Sequence, residues 1–508
     1  MQNLYQIFDN TEQRTTETIA ALDIGSNSFH LVIARVVADA VQVVNRVKHK
    51  VRLADGLDEK SCLSDEAMDR GIATLESMME SLSGVTPDAI RVVATHTLRR
   101  AKNANTFLRR ARKVFPFPIE IISGAEEARL IYVGIASNTN NEGSRLIIDI
   151  GGGSTEFAVG KSSAPQLCKS VQMGCVSYQK RFFADGKITR SAVEKAITAA
   201  EQDLELACAN LREFNWQYSV ASSGTAKAIA LVAQPNDSEQ FHPFNQHDLQ
   251  LLVARCIEKG SADALDFQGL TEDRKPVFAA GLCIMLAIFQ SLKLKEVEIS
   301  QFALREGVLR ELQGQQTSQN VRVRTAQSLA TRYDVDTQYA HKVLKTSMSI
   351  YNQVKKGWQL EEAKFRFMIG WTSLLHEIGL QVNSRGIQKH SSYILSNSDL
   401  PGFNQDQQRV MSAMVRFHRK KIVKEDFPVS IEYTETCIAR MLTILRLGIL
   451  LNVNRQVAFQ SAIECSTQDD MLTLCFSDKV LENNRLLQAD LNKETKYLKT
   501  LGITLLIE

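Results

Sequence analysis

Nine cysteines are scattered from Cys62 to Cys475, and none forms a C-x-x-C pair. That absence argues against zinc ribbons and thioredoxin-type redox centres, and an odd, irregular count fits a reducing compartment. An excess of one charge is missing too: 60 basic against 57 acidic residues leave a formal +3. No global field draws polyanions to the chain, so an anion site must be built locally, and nucleic acid is not an expected partner. Long apolar runs are also lacking. The longest, FAAGLCIMLAIF at 278–289, is too short for a bilayer and reads as a buried helix, so no transmembrane segment is expected. The opening MQNLYQIFDNTEQRTTETIA has no apolar stretch of the signal-peptide kind. The expectation is a cytoplasmic protein, with peripheral association at the inner membrane face left open.

What is present is bulk: 508 residues, 44% hydrophobic, enough for several cores. IAALDIGSNSFHLVIARVV (19–37) reads as strand, turn, strand. IRVVATHTLRRAKNANTFLRRARKVF is a strand feeding a helix, and IEIISGAEEARLIYVGIAS repeats that plan. SRLIIDIGGGSTEFAVG is a second strand-turn-strand, and YSVASSGTAKAIALVA another strand running into a helix. Strands alternating with helices predict an α/β core. Near residue 313 the texture turns helical, with little proline, until about 450; short β-like runs around one helix close the chain.

The two strand-turn-strand segments echo each other. Asp23-Ile24-Gly25 is followed by Ser28, and Asp149-Ile150-Gly151 by Ser154, so the serine comes five residues after the acid both times. Such matching suggests duplication of a phosphate loop. No G-K-[ST] triplet with a helix behind it follows the glycines, and a dinucleotide fingerprint would need glycine where Glu156 stands. STEFAVG instead alternates like a strand, which places Gly151, Gly152 and Gly153 in a hairpin turn whose amides can converge on an oxyanion. Asp149 before the turn and Glu156 after it would repel that anion unless a cation intervenes; Mg2+ suits hard oxygen ligands and phosphate. Ser123 and Glu126 spell an S-x-x-E capping box at the start of a helix, leaving Glu127 free of that task.

Two hairpins of this form resemble the actin/Hsp70/sugar-kinase superfamily. DIGSNSFHLVIA, ATHTLRRA, ISGAEEARLI, IDIGGGSTEF, MGCVS, SSGT and ALREGVL stand in the order typical of the exopolyphosphatase/guanosine pentaphosphatase (Ppx/GppA) family, and LLHEIGL with KHSSYILSNSDLPGFNQDQQ resembles its long bacterial exopolyphosphatases. The resemblance covers nearly the whole chain. It implies an α/β fold with two actin-like (ribonuclease H-like) domains at 1–134 and 135–312, the first completed by a helix near 300–312. An all-helical HD-like domain at 313–450 and a small α+β module at 451–508 would follow.

The implied activity is removal of terminal phosphates from inorganic polyphosphate, with Mg2+ as cofactor. Cleavage of the 5′ γ-phosphate of guanosine pentaphosphate (pppGpp) is the alternative, and a nucleotide-binding switch of the actin/Hsp70 type is a rival of another class. By resemblance Glu127 activates the water, and Asp149 and Glu156 hold the metal. Asp23, Asn27, Ser28 and the Gly151-Gly152-Gly153-Ser154 turn would then hold phosphate, with Arg99 as a clamp that grips two oxygens at once. Gly224 and Thr225 match a third loop, where nucleotide-using relatives hold adenosine, and Glu306 is given a packing role. His376 and Glu377 resemble a metal-dependent phosphohydrolase signature with glutamate replacing aspartate, and no metal is assigned there. Basic clusters at 48–52, 108–113, 385–390 and 415–424 are solvated faces or contacts for a long anion; Arg416, Arg419, Lys420 and Lys421 are the candidate polyphosphate track. A homodimer joining such faces is a family expectation.

Overall fold

Alternating small and β-branched residues let both faces of the opening strand be buried: Ala20, Leu22 and Ile24 enter one apolar cluster, Ile19 and Ala21 another. The structure is a computed structural model that describes residues 17–37, 40–83, 87, 89–138, 143–233, 241–313, 322, 325–326, 329–398, 400, 402–430, 432–453, 463–476, 481 and 484–508. The first sixteen residues, read above for a leader, lie outside that set. The chain forms two units, Met1–Ser318 and Gln319–Glu508.

The first unit contains two sheets. Strands β1 (Glu17–Ile24), β2 (Ser28–Val37), β3 (Ala40–Lys50), β4 (Ala89–Ala94) and β5 (Ile119–Ile121) take the order β3-β2-β1-β4-β5. Strands β6 (Arg145–Ile150), β7 (Thr155–Lys161), β8 (Ala164–Val171), β9 (Tyr218–Ser222), β10 (Phe244–Asn245) and β11 (Glu296–Ile299) take the order β10-β11-β9-β6-β7-β8. Without the two-residue edge strand β10, the second order repeats the first. In both, an antiparallel three-strand meander is followed by two parallel neighbours. The duplication seen in the loops is therefore a duplication of whole sheets. Gly160-Lys161-Ser162 does spell a G-K-S triplet. It turns β7 into β8, with Ser162 at φ 56°, and no helix follows, so it is not a P-loop.

One apolar cluster joins the sheets: Ala21 and Val93 from the first, Ile147, Ala158 and Val220 from the second. Leu130 and Ile131 of the helix Gly124–Ala136 and Val308 of the helix Leu304–Gln313 complete it. These two helices cross at glycines. A Cβ at Gly134 would strike the Ala303 carbonyl oxygen, and one at Gly307 the Leu130 carbonyl oxygen. The 278–289 run lies in a longer helix, Lys275–Leu292. Its 18 residues reach the length and apolarity of a membrane span, yet 72% of them are buried in the unit. It is a core helix, as its sequence suggests.

The second unit has helices Thr337–Val354, Ala363–Leu375, Ile387–Asn397, Gln405–Phe417 and Glu435–Leu450. A three-stranded sheet follows, ordered β12 (Ile463–Gln468), β13 (Met471–Phe476), β14 (Thr504–Ile507), with the helix Arg485–Lys499 before its last strand. Leu472, Leu474, Leu491 and Leu498 share one core with the helices, so the tail is continuous with the helical part.

The glycine crossing sets a testable constraint. Gly307→Ala forces the helices apart, and overpacking of this kind costs about 1–3 kcal/mol. A lower urea midpoint for the full chain is the expected result; an unchanged midpoint would contradict the crossing.

Candidate functional site

Both glycine turns close in the same way, with Gly25 N–H donating to Ser28 O at 3.1 Å and Gly151 N–H to Ser154 O at 2.9 Å. Neighbouring backbone holds each turn by its carbonyls. Val51 and Arg52 donate to Asn27 O at 3.0 and 2.9 Å; Cys175 donates to Gly151 O at 3.0 Å and Val176 to Gly152 O at 2.8 Å. The turns face each other across a cavity of about 450 Å3 lined by Asp23, Gly25–Ser28 and Asp149–Ser154. Ser26 Cβ would lie 3.2 Å from a Cβ on Gly152, and the His96 imidazole would collide with one on Gly153. Only bare backbone allows this approach.

Carboxylates form one side of the cleft. Glu127 stands in the first turn of Gly124–Ala136, where Ser123 Oγ accepts from Glu126 N–H at 3.1 Å. That is the forward bond of the expected capping box. The Glu126 side chain, however, turns inward and gives both oxygens to Arg129, each at 2.7 Å. The reason is burial: Glu126 is 1% exposed, and a charge so deep needs a charged partner. Glu127 Oε2 meets Arg99 Nη1 at 3.1 Å, and the same nitrogen donates to Ile122 O at 2.9 Å. Arg99, expected as a phosphate clamp, thus stands beside Glu127 and is not part of the cavity wall; its Nη2 is buried without a hydrogen-bond partner among the described residues. Ser222 Oγ donates to Asp149 Oδ2, and Ser170 Oγ to Glu156 Oε1 at 2.8 Å. Asp149 and Glu156 are cross-strand partners, but only Asp149 lines the cavity.

Burial shifts these acids, and neighbouring charge adjusts the shift. Burial raises Asp23 to about 7; Arg305 opposes the rise, and the Glu127 and Asp149 charges add to it. Burial raises Asp149 to about 6, against the Ser222 hydrogen bond. Burial also raises Glu127, against Arg99, and Glu156, to which the Glu127 charge adds. Such raised carboxylates in a cleft mark a functional site.

Cations that the motif reading passed over line the same cavity: Arg46, Lys48, Lys227, Arg274 and Arg305. Arg305 precedes Glu306 in ALREGVL, and Lys48 opens the 48–52 basic cluster, so both had a signal in sequence. Arg274 had none. Arg305 Nη1 meets His30 Nδ1 at 2.6 Å, and burial followed by the Arg305 charge pushes His30 down to about 3. Ser223-Gly224-Thr225 also lines the cavity, but Gly224 lies under the Arg274 guanidinium, which a Cβ there would strike. Glu306 is buried, and its Oε2 accepts from Ala303 N–H at 2.9 Å at the start of its helix, a structural role as expected.

In the second unit, His376 and His418 are buried with rings 5.4 Å apart, and their Nδ1 atoms meet the Ser373 and Val415 carbonyls at 2.8 and 2.6 Å. Arg419, Lys420 and Lys421 are exposed beyond the helix Gln405–Phe417, and Arg416 lies over the Phe417 ring at 5.6 Å.

The sequence matches the Ppx/GppA phosphatase family over residues 32–316 and domain III of that family over 321–495. A guanosine-5′-triphosphate,3′-diphosphate pyrophosphatase of Aeromonas hydrophila is 37% identical over 95% of this chain and 97% of its own. One of Pseudoalteromonas translucida is 35% identical over 96% and 98%. Among solved structures, an exopolyphosphatase from Cytophaga hutchinsonii covers 59% of this chain and 98% of its own, with 23% identity and a TM-score of 0.54. The Aquifex aeolicus PPX-GPPA enzyme covers 58% and 99%, with 24% identity and a TM-score of 0.51. Those two likenesses concern the fold. With facing glycine turns, a buried set of carboxylates and relatives matched almost end to end, the chain belongs to the Ppx/GppA phosphatase family.

Proposed function

We propose that this phosphatase removes the 5′ γ-phosphate of pppGpp, leaving guanosine 3′,5′-bis(diphosphate) and inorganic phosphate. The observation that carries the reading is the match, at 34–37% identity over 95–96% of this chain, to relatives named as guanosine-5′-triphosphate,3′-diphosphate pyrophosphatases. It replaces polyphosphate, the first expectation, with its alternative. In this reading THTLR and IDIGGGST would serve the terminal phosphate. Both substrates present the same group there, so those residues do not separate them.

In this reading the two glycine turns hold the γ-phosphoryl group between their amides. Glu127 orients a water and takes its proton, and burial raises its pKa, the direction that makes a carboxylate a stronger base. Water oxygen bonds to the γ-phosphorus as the bond from that phosphorus to the β–γ bridging oxygen breaks, and the electron pair leaves on the β-phosphate. Arg99 holds the Glu127 carboxylate in place at 3.1 Å.

The donor set fits Mg2+. The Glu127 and Asp149 charges repel both Asp23 and Glu156, and Asp23 Oδ1 is buried without a hydrogen bond among the described residues. Among the described residues no three His, Cys, Asp or Glu side chains form a closed cage. Mg2+ takes hard oxygen ligands and is commonly bound through one or two carboxylates together with substrate phosphate. Asp149 and Glu156 would hold it, and it would supply charge neutralisation at the phosphoryl oxygens.

Three outcomes are expected. Wild-type chain should show a higher kcat/KM on pppGpp than on long-chain polyphosphate; the reverse order restores the exopolyphosphatase reading. Glu127→Gln should lower kcat by about 10²–10⁴ with KM little changed, and an undiminished kcat would remove Glu127 as the base. The third concerns pH. Asp23 and Asp149 rise from 3.8 to about 7 and about 6. In EDTA the folded chain therefore binds more protons than the unfolded one between these values. Their contribution is most favourable at low pH and is lost as pH rises through the folded values. Relative to wild type, Asp149→Asn should thus gain unfolding temperature from pH 5 to pH 8. Mg2+ should raise the wild-type unfolding temperature more at pH 8 than at pH 5. A pH-independent difference would contradict the shifted carboxylate.

A further inference from the structure

Two buried residues of THTLR take no part in the chemical step, yet each touches a different glycine turn. His96 and Thr97 begin the short helix that follows β4. Thr97 Oγ1 donates to Ser26 Oγ at 2.8 Å in the first turn, and both side chains are buried. The preceding Thr95 N–H donates to Ile24 O at 3.3 Å, so this segment is tied to the strand that enters that turn. His96 reaches the second turn. Its imidazole packs on Gly153, where a Cβ has no room. The Gly153 φ lies outside the left-handed region, so the imidazole, and not the backbone, requires glycine there.

The ring is held in one state. His96 Nε2 meets Gln172 Oε1 at 3.2 Å, just beyond β8, and Arg100 Nη1 donates to the same oxygen at 3.4 Å. A guanidinium only donates, so this Gln172 atom is an acceptor and Nε2 carries the ring proton. Nδ1 then presents a bare lone pair, buried without a hydrogen-bond partner among the described residues. Burial, with the Arg99 charge adding to it, lowers His96 to about 4, so the ring is neutral at physiological pH. An unprotonated Nδ1 lets the ring come close to Gly153.

The second turn is confined from elsewhere too. A Cβ on Gly174 would strike the Gly152–Gly153 peptide, so backbone at the start of the helix Cys175–Phe182 presses on it. Ser26, the partner of Thr97, approaches Gly152 itself. First turn, THTLR and second turn are therefore in continuous contact.

We infer that Thr97 and His96 are positioning residues that set the spacing of the two glycine turns. Thr97 holds the first turn through Ser26, and His96 is a spacer against Gly153 of the second. The inference rests on the turns as holders of the terminal phosphate, a role that pppGpp and polyphosphate share, so it is independent of which substrate is preferred. A reacting group misplaced by about 1 Å can lose about 10²-fold in rate.

The test uses whichever of pppGpp and long-chain polyphosphate the wild-type chain cleaves with the higher kcat/KM, with urea midpoints measured alongside. His96→Ala should lower kcat by about 10–100-fold with KM changed by less than about threefold. His96→Gln, whose amide can still donate to Gln172, should recover part of that loss. Gly153→Ala should also lower kcat, because its methyl meets the imidazole. Adding His96→Ala to Gly153→Ala should then raise kcat above that of Gly153→Ala alone, since the methyl takes up part of the space the ring leaves. Losses that multiply in the double variant would make His96 an ordinary packing residue and overturn the spacer. A Gly153→Ala chain with wild-type kcat would overturn it as well, even where His96→Ala lowers the urea midpoint. Thr97→Val keeps the shape and removes the bond to Ser26; a lowered kcat is expected, and a wild-type kcat would overturn the role of Thr97.

Discussion

Three carboxylates, Asp23, Glu127 and Asp149, line one cleft, with Glu156 the cross-strand partner of Asp149, and their burial together is the constraint that the rest of the first unit has to meet. Asp23 and Asp149 lie near the ends of equivalent strands of duplicated sheets, so the symmetry that brings two glycine turns together brings their acids together as well. The pair cannot be fully ionised without a counter-charge. Arg305 supplies part of it from the protein, and Arg99 supplies more beside Glu127. A site of this kind holds its charges ready in unfavourable proximity. Preorganised charge of that sort is an efficient basis for phosphoryl transfer, because little reorganisation is left for the transition state.

Rigidity behind the site follows from the same demand. Glu127 lies one residue from Glu126, which with Arg91, Glu120, Arg129 and Glu311 forms a buried ionic network. The network ties the helix of Glu127 to the helix of Arg305, and the Gly134–Gly307 crossing brings the two backbones close enough for these contacts to form. Polar links this deep are costly to break, since removing one partner leaves an unpaired charge. The helix carrying Glu127 and the helix carrying Arg305 are thereby held as one piece.

Much of this was legible in the residues. The five-residue spacing from acid to serine, present twice, already indicated two phosphate turns, because such turns depend on local backbone geometry and need bare glycine at fixed places. Strand alternation placed Phe157 and Val159 on one face and Ala158 on the other, and they do enter different apolar clusters. The capping box was only half legible: an S-x-x-E pattern reports what Glu126 could do locally, and burial beside Arg129 decided what it does. Arg99 read as a clamp because guanidinium suits phosphate, yet its contacts are Glu127 and a backbone carbonyl.

By itself the sequence determined the strands, the two turns, the duplication, the acid candidates and the family, all of which depend on short-range patterns. Tertiary structure alone decided which charges meet. Arg274 and Lys48 are separated by more than two hundred residues of chain, and nothing local marks them as partners; only the closing of two sheets around one cleft places both in its wall. Coulomb interactions act through space and not along the chain, so a site made of opposed charges is visible only once the fold has brought its members together.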